Sequence, residues 1–164
     1  MRRVSSSAVA QVQAALRAAG VDVELRSFRE PVPTAAAAAA ALGCEVGAIA
    51  NSLVFATEGQ PLLVLASGAH RVDTTALARR LDTVKINRAD PEFVLEHTGQ
   101  RIGGVAPIGH PSKVRTVEDT ALAAFPLIWA GAGDENTMFA TSFAQLLALT
   151  DGIATPVGVT DPSR

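Results

Sequence analysis

IANSLVFATEGQPLLVLAS, residues 49–67, decides how the rest of the chain is read. Two apolar segments, 49–57 and 61–67, are joined by Glu58, Gly59 and Gln60, the pattern of a β-hairpin. Their nearly uninterrupted apolar character puts the pair at the centre of the fold. On the N-terminal side, Val9, Val12, Leu16 and Ala19 recur at helical spacing, with Ser5 to Ser7 as candidate N-caps and Gly20 at the helix end. VDVELRSF, 21–28, alternates apolar and polar residues as a strand with one buried face does. Pro31 and Pro33 break that pattern, Thr34 can cap, and seven alanines with Leu42 run as a short helix to Gly43.

On the C-terminal side, Asp73 or Thr74 caps a helix at 75–81, and VKI at 84–86 reads as a short strand. Asp90 with Pro91 opens a helix that stops at Gly99. A glycine-rich stretch follows, RIGGVAPIGHP at 101–111. The pattern beyond it predicts a short strand near Val114, a helical turn over 117–125, and strands at 126–130 and 137–141 around the turn GAGDEN. A final helix is capped by Ser142 with Gln145 and ended by Gly152. Helices and strands interleave without strict β-α-β alternation. The predicted class is therefore α+β, with a mixed, curved sheet surrounded by helices.

At 164 residues the chain is expected to form a single domain spanning 1–164, because two cores of about 80 residues would each be marginal. Of its residues 48% are apolar, though 31 of these are alanine. No apolar run reaches the roughly 18 residues of a membrane span, and MRRVSSSAVAQVQ lacks the apolar stretch of a signal peptide, so a cytoplasmic protein without membrane contact is expected. The lone Cys44 excludes an internal disulfide. A net charge of −2 argues against indiscriminate coating of nucleic acid. The charge is uneven: residues 71–115 hold eight Lys or Arg against five acids, whereas 116–164 hold one against six.

The hydrolase elbow G-x-S-x-G, the phosphate loop, the dinucleotide fingerprint and H-E-x-x-H are all missing. His70, His97 and His110 lack metal-ligand spacing, so neither metal nor cofactor is expected. In the glycine-rich stretch, Gly103 and Gly104 let main-chain N–H groups approach a ligand closely, while Pro107 fixes its own φ. Two readings stand. The loop presents amides to a developing oxyanion, worth roughly 3 kcal/mol each, or it is a tight connection between strands.

IANSLVF, LVLASGAHRVD, TGQRIGGVAPIGH and GAGDENTMF, in this order and at these separations, resemble the YbaK family of free-standing aminoacyl-tRNA deacylases, related to the editing domain inserted in bacterial prolyl-tRNA synthetase. The resemblance covers roughly residues 20–155. It implies a barrel-like mixed sheet and hydrolysis of the ester joining a wrong small amino acid, such as Ala, Ser, Thr or Cys, to the 3′ end of a tRNA. Water, helped by the terminal ribose hydroxyl, would attack a carbonyl held by the loop, and pocket size would select the amino acid. By this resemblance Gly103, Gly104, Val105 and Asn51 form the catalytic set. Ser52, Ser67, Gly68, Ala106, Pro107, His110, Gly131 and Gly133 line the substrate cleft. Arg71 with Asp73 reads as a salt bridge and helix cap.

Many family members carry lysine where this chain has Asn51, and a neutral amide cannot replace a cation. The rival expectation is a catalytically weak binding module of the same fold, recognising a nucleotide, an aminoacyl group or a protein partner. A small-molecule esterase using Ser52 or Cys44 is a third. The implied partners are aminoacylated tRNA and, as a second class, an aminoacyl-tRNA synthetase. Monomer and homodimer are both open.

Overall fold

The computed structural model describes residues 7–160. Ser5 and Ser6, two of the candidate caps, lie outside the described residues. At the centre, strands β2 (Ile49–Thr57) and β3 (Gln60–Ser67) pair antiparallel from Ala50↔Ser67 to Thr57↔Gln60. Glu58 and Gly59 turn between them with φ of 52° and 77°. Two consecutive left-handed residues give the turn a twist that matches the strands. Leu62 to Ala66 are all 0% exposed. Leu63 and Leu65 join a core with Val12 and Leu16 of helix α1 (Ser7–Ala18) and Leu146 of the helix at Phe143–Thr150. Leu62, Val64 and Ala66 meet Leu77, Ile86, Val117 and Val157 on the opposite face. Full burial of each large side chain contributes about 2 kcal/mol, so the hairpin organises both layers.

Around it lie β1 (Leu25–Ser27), β5 (Asn87–Arg88), β6 (Arg115–Asp119), β7 (Ile128–Gly131), β8 (Thr137–Thr141) and β9 (Ile153–Thr155). The eight-stranded mixed sheet runs β1-β8-β7-β2-β3-β6-β9, with β5 also on β2. β2 with β7, β3 with β6, and β6 with β9 are parallel. Two further strands, β4 (His70–Val72) and β10 (Gly158–Thr160), form a separate ribbon. Helix α2 (Ala35–Leu42) lays Ala35, Ala38 and Ala39 on Ile49 and Met138, a close approach that small side chains permit. Helices α3 (Thr74–Arg80), α4 (Pro91–Thr98) and α5 (Phe143–Thr150) complete the cover. The chain adopts the α+β class its sequence predicts, and no described helix is long and apolar enough to cross a membrane.

Several local expectations need correction. The helical turn expected over 117–125 begins late: Val117, Glu118 and Asp119 belong to β6, and only Thr120–Ala124 form a 3-10 turn. Parallel pairing with β3, at Val64↔Val117 and Leu65↔Glu118, overrides the local helical pattern. β1 is confined to Leu25–Ser27, and the strand expected at 84–86 forms instead at Asn87–Arg88, where β2 offers partners. The last helix ends on Asp151, left-handed at φ 51°, one residue before Gly152. β4, β9 and β10 each have three residues, too few for a visible period.

Candidate active site

The edge of β2 that faces away from β3 is paired only at its ends. β7 takes Ile49 and Ala50, and β5 takes Phe55 and Ala56. Between them, Asn51 to Val54 have no strand partner on that side, so backbone polar groups are turned into a gap in the sheet. Two cavities open there, of about 210 Å³ and about 510 Å³. They share a wall made by Asn51, Ser52, Leu53, Ile102 and Val105. The Ser52 hydroxyl on this wall is buried with no hydrogen-bond partner among the described residues. The Asn51 side chain bonds nothing among the described residues.

Opposite the gap lies the glycine-rich loop, braced from beneath by Gln100. This side chain is 1% exposed; its Oε1 accepts from the Ala106 amide at 2.6 Å and its Nε2 donates to the Ile108 carbonyl at 3.3 Å. Thr98 Oγ1 in turn accepts from the Gln100 amide at 3.0 Å. The loop is stitched to the turn after β7, backbone to backbone: the Gly133 amide donates to the Gly104 carbonyl at 3.0 Å. A Cβ on Gly104 would stand 2.6 Å from Asp134 Cα, and one on Gly131 would stand 2.9 Å from the Val105 carbonyl oxygen. Glycine is needed here because two main chains touch, which is what the glycine-rich stretch supplies.

This stitching divides the amides. The Gly104 N–H donates to the Arg101 carbonyl at 3.1 Å, and the Ala106 N–H is held by Gln100. Gly104 and Ala106 therefore brace the loop. The amides of Gly103 and Val105 make no hydrogen bond among the described residues, and both residues line the smaller cavity. Gly103 sits at φ 99°, a conformation side chains rarely adopt.

The cleft residues implied by the resemblance fall into two groups. Gly103, Val105, Asn51, Ser52 and Gly131 border the smaller cavity. Ser67, Gly68, Gly104, Ala106, Pro107, His110 and Gly133 border neither. Ser67 Oγ donates to the Gly47 carbonyl at 2.9 Å, and Gly68 packs against the Val46 carbonyl. Gly133, at φ 115°, lies on the backbone of α1. His110 Nε2 is 2.8 Å from the Ala106 carbonyl, so the ring braces the loop, and burial lowers its pKa despite that bond. Asp73 caps α3 through the Ala76 amide at 3.0 Å. Arg71 forms no ion pair with it and lines the larger cavity.

Charge divides the cleft. Asp134 and Glu135 stand at the smaller cavity; Arg71 and Arg88 stand at the larger. Asp134 Oδ1 accepts from the Asn136 amide and from Thr137 Oγ1, each at 2.9 Å. Cys44 borders neither cavity, and burial raises its thiol pKa, so it is a poor nucleophile. No base among the described residues is hydrogen-bonded to the Ser52 hydroxyl. His70 lies within LVLASGAHRVD, and β6 brings Asp119 to it, an approach the linear motif does not show.

Comparison with known proteins matches this geometry to a family. The model for the aminoacyl-tRNA editing domain matches residues 29–149. Protein YwhH of Bacillus subtilis (strain 168), itself uncharacterised, is 31% identical over 115 residues, 70% of this chain and 73% of that protein. The proline–tRNA ligase of Listeria innocua is 28% identical over 86 residues, which are 52% of this chain and 15% of the ligase. A crystal structure described as a candidate trans-editing enzyme for prolyl tRNA synthetase superposes with a TM-score of 0.89 at 34% identity, over 95% of this chain and 99% of that one. With the family model covering most of the chain and the fold shared over 95% of it, this protein belongs to the aminoacyl-tRNA editing domain family.

Proposed function

We propose that the chain is a trans-editing aminoacyl-tRNA deacylase that hydrolyses the ester of a tRNA mischarged with a small amino acid such as Ala, Ser, Thr or Cys. The observation that carries this reading is the pair of unbonded amides, Gly103 and Val105, on a cavity closed by the unpaired edge of β2. An aminoacyl ester is already activated, so positioned water and an oxyanion site suffice for the reaction. Water adds to the ester carbonyl, its oxygen becomes the oxyanion held by the two N–H groups, and collapse releases the ribose oxygen, which takes up the proton lost by water. The ribose hydroxyl beside the ester assists that proton transfer. No protein nucleophile takes part.

The volume of the smaller cavity, about 210 Å³, lies below the roughly 300–1,000 Å³ of sites for drug-sized ligands, which favours a single aminoacyl group. Asp134 and Glu135 favour its ammonium, and the cations of the larger cavity favour phosphates. Asn51 and the Ser52 hydroxyl supply neutral hydrogen-bonding groups on the wall between. Incubation with tRNA charged separately with alanine, serine, threonine and cysteine tests the reading. Release of at least one above the buffer rate supports it. Retention of all four, with aminoacyl-tRNA binding intact, replaces it by the binding module that a neutral Asn51 favours.

A further inference from the structure

The imidazole of His70 lines the larger cavity beside Arg71 and Arg88. Its Nδ1 is 2.8 Å from Asp119 Oδ2, and Asp119 is 1% exposed. The amides of Ser67 and Ala121 also donate to that carboxylate, each at 3.0 Å. A carboxylate only accepts, so Nδ1 carries the proton and donates. Nε2 is left as the open acceptor of the ring, and it bonds nothing among the described residues. A histidine held by a buried acid has one orientation and one tautomer. The backbone is fixed as well: β4 is paired with β10, where Gly158 lies directly against the Arg71 carbonyl.

We propose that His70, fixed by Asp119, positions the terminal unpaired nucleotide of the tRNA by accepting a hydrogen bond from it at Nε2. The inference rests on the deacylase reading and assigns the larger cavity within it. At about 510 Å³ this cavity lies in the range of sites for drug-sized ligands, a class that includes nucleotides, and it joins the smaller one along the wall where the ester would lie. Phe55, Val94 and Ile102 provide apolar surface for a base, while Arg71 and Arg88 provide cations for phosphates. An aromatic face, here Phe55, in a groove carrying arginines is how single-stranded nucleic acid is held without base pairing.

The test uses the whole chain and the uncharged trinucleotide CCA. Titration is followed through the imidazole nitrogens by NMR, with affinity measured for wild type, His70→Ala and His70→Asn. Asparagine can still donate to Asp119 but has no atom at the Nε2 position. The proposal expects the Nε2 resonance to shift on binding, and both variants to lose about tenfold or more in affinity. An unmoved Nε2, or an asparagine variant restored to wild-type affinity, would overturn it, because the ring would then be only a prop for Asp119. If no mischarged tRNA is hydrolysed but CCA still shifts Nε2 and the variants still weaken binding, the deacylase reading falls and the nucleotide site stands.

Discussion

Replacing Gly104 by alanine separates the two jobs of the loop. The added Cβ would lie 2.6 Å from Asp134 Cα and 2.9 Å from its carbonyl oxygen, where ordinary contact starts near 3.4 Å. The obstacle is main chain, so it cannot swing aside as a side-chain tip would. The Asp134 carbonyl carbon is nearer still, so the loop and the turn at 131–136 must part by about 1 Å. That shift stretches the Gly133–Gly104 hydrogen bond and carries the Gly103 and Val105 amides with it. A misplacement near 1 Å in a reacting geometry reduces turnover by about 100-fold. Overpacking of this kind costs roughly 1–3 kcal/mol of stability, and Tm falls by about 2–4 °C per kcal/mol in a chain of this size. Deacylation kinetics and thermal unfolding of Gly104→Ala should therefore show a kcat/KM reduced by about two orders of magnitude in a protein that still folds. A variant within twofold of wild type in kcat/KM would refute the link between the stitched backbones and catalysis.

Gln100→Ala removes the acceptor of the buried Ala106 amide and should cost about 1–3 kcal/mol, read as a lowered Tm together with reduced kcat/KM. Glu118, 0% exposed with both carboxylate oxygens unpartnered among the described residues, has its pKa pushed up to about 8 by burial. The native state therefore keeps a proton that the unfolded chain releases near pH 4.5, so stability falls as pH rises from about 4.5 to about 8. The slope is on the order of 1 kcal/mol per pH unit; denaturant melts across that range should show it in wild type and find it flattened in Glu118→Gln, and equal slopes would contradict the assignment. Lys113 pairs with Asp151 at 2.7 Å in full solvent, so Lys113→Ala should leave Tm unchanged within error.

What the sequence discloses of this molecule follows from the range over which each feature is determined. The hairpin at 49–67 is legible because its strands and turn are contiguous, and the helix caps at Thr34, Asp90 and Ser142 because each bonds an amide three residues on. β6 is misread as partly helical because its strand character comes from β3, 53 positions earlier at Val64↔Val117. The site follows the same division. Glycines at 103 and 104 mark a backbone loop, yet which amide is free depends on Arg101 and Gln100 taking the N–H groups of Gly104 and Ala106. Ser67 and His110 look like cleft residues in the linear motif because they adjoin it, while their side chains face the scaffold. The pairing of His70 is not legible in LVLASGAHRVD because its partner, Asp119, is 49 residues away.

The central claim, that the Gly103 and Val105 N–H groups hold the oxyanion, is tested most directly by deleting one of them without touching a side chain. Exchanging Val105 for its α-hydroxy acid turns that amide into an ester and removes the donor alone. Loss of one such donor should lower kcat for mischarged tRNA by roughly 10²–10³-fold, with Tm and binding of uncharged tRNA preserved. An unchanged kcat in that protein would contradict the account.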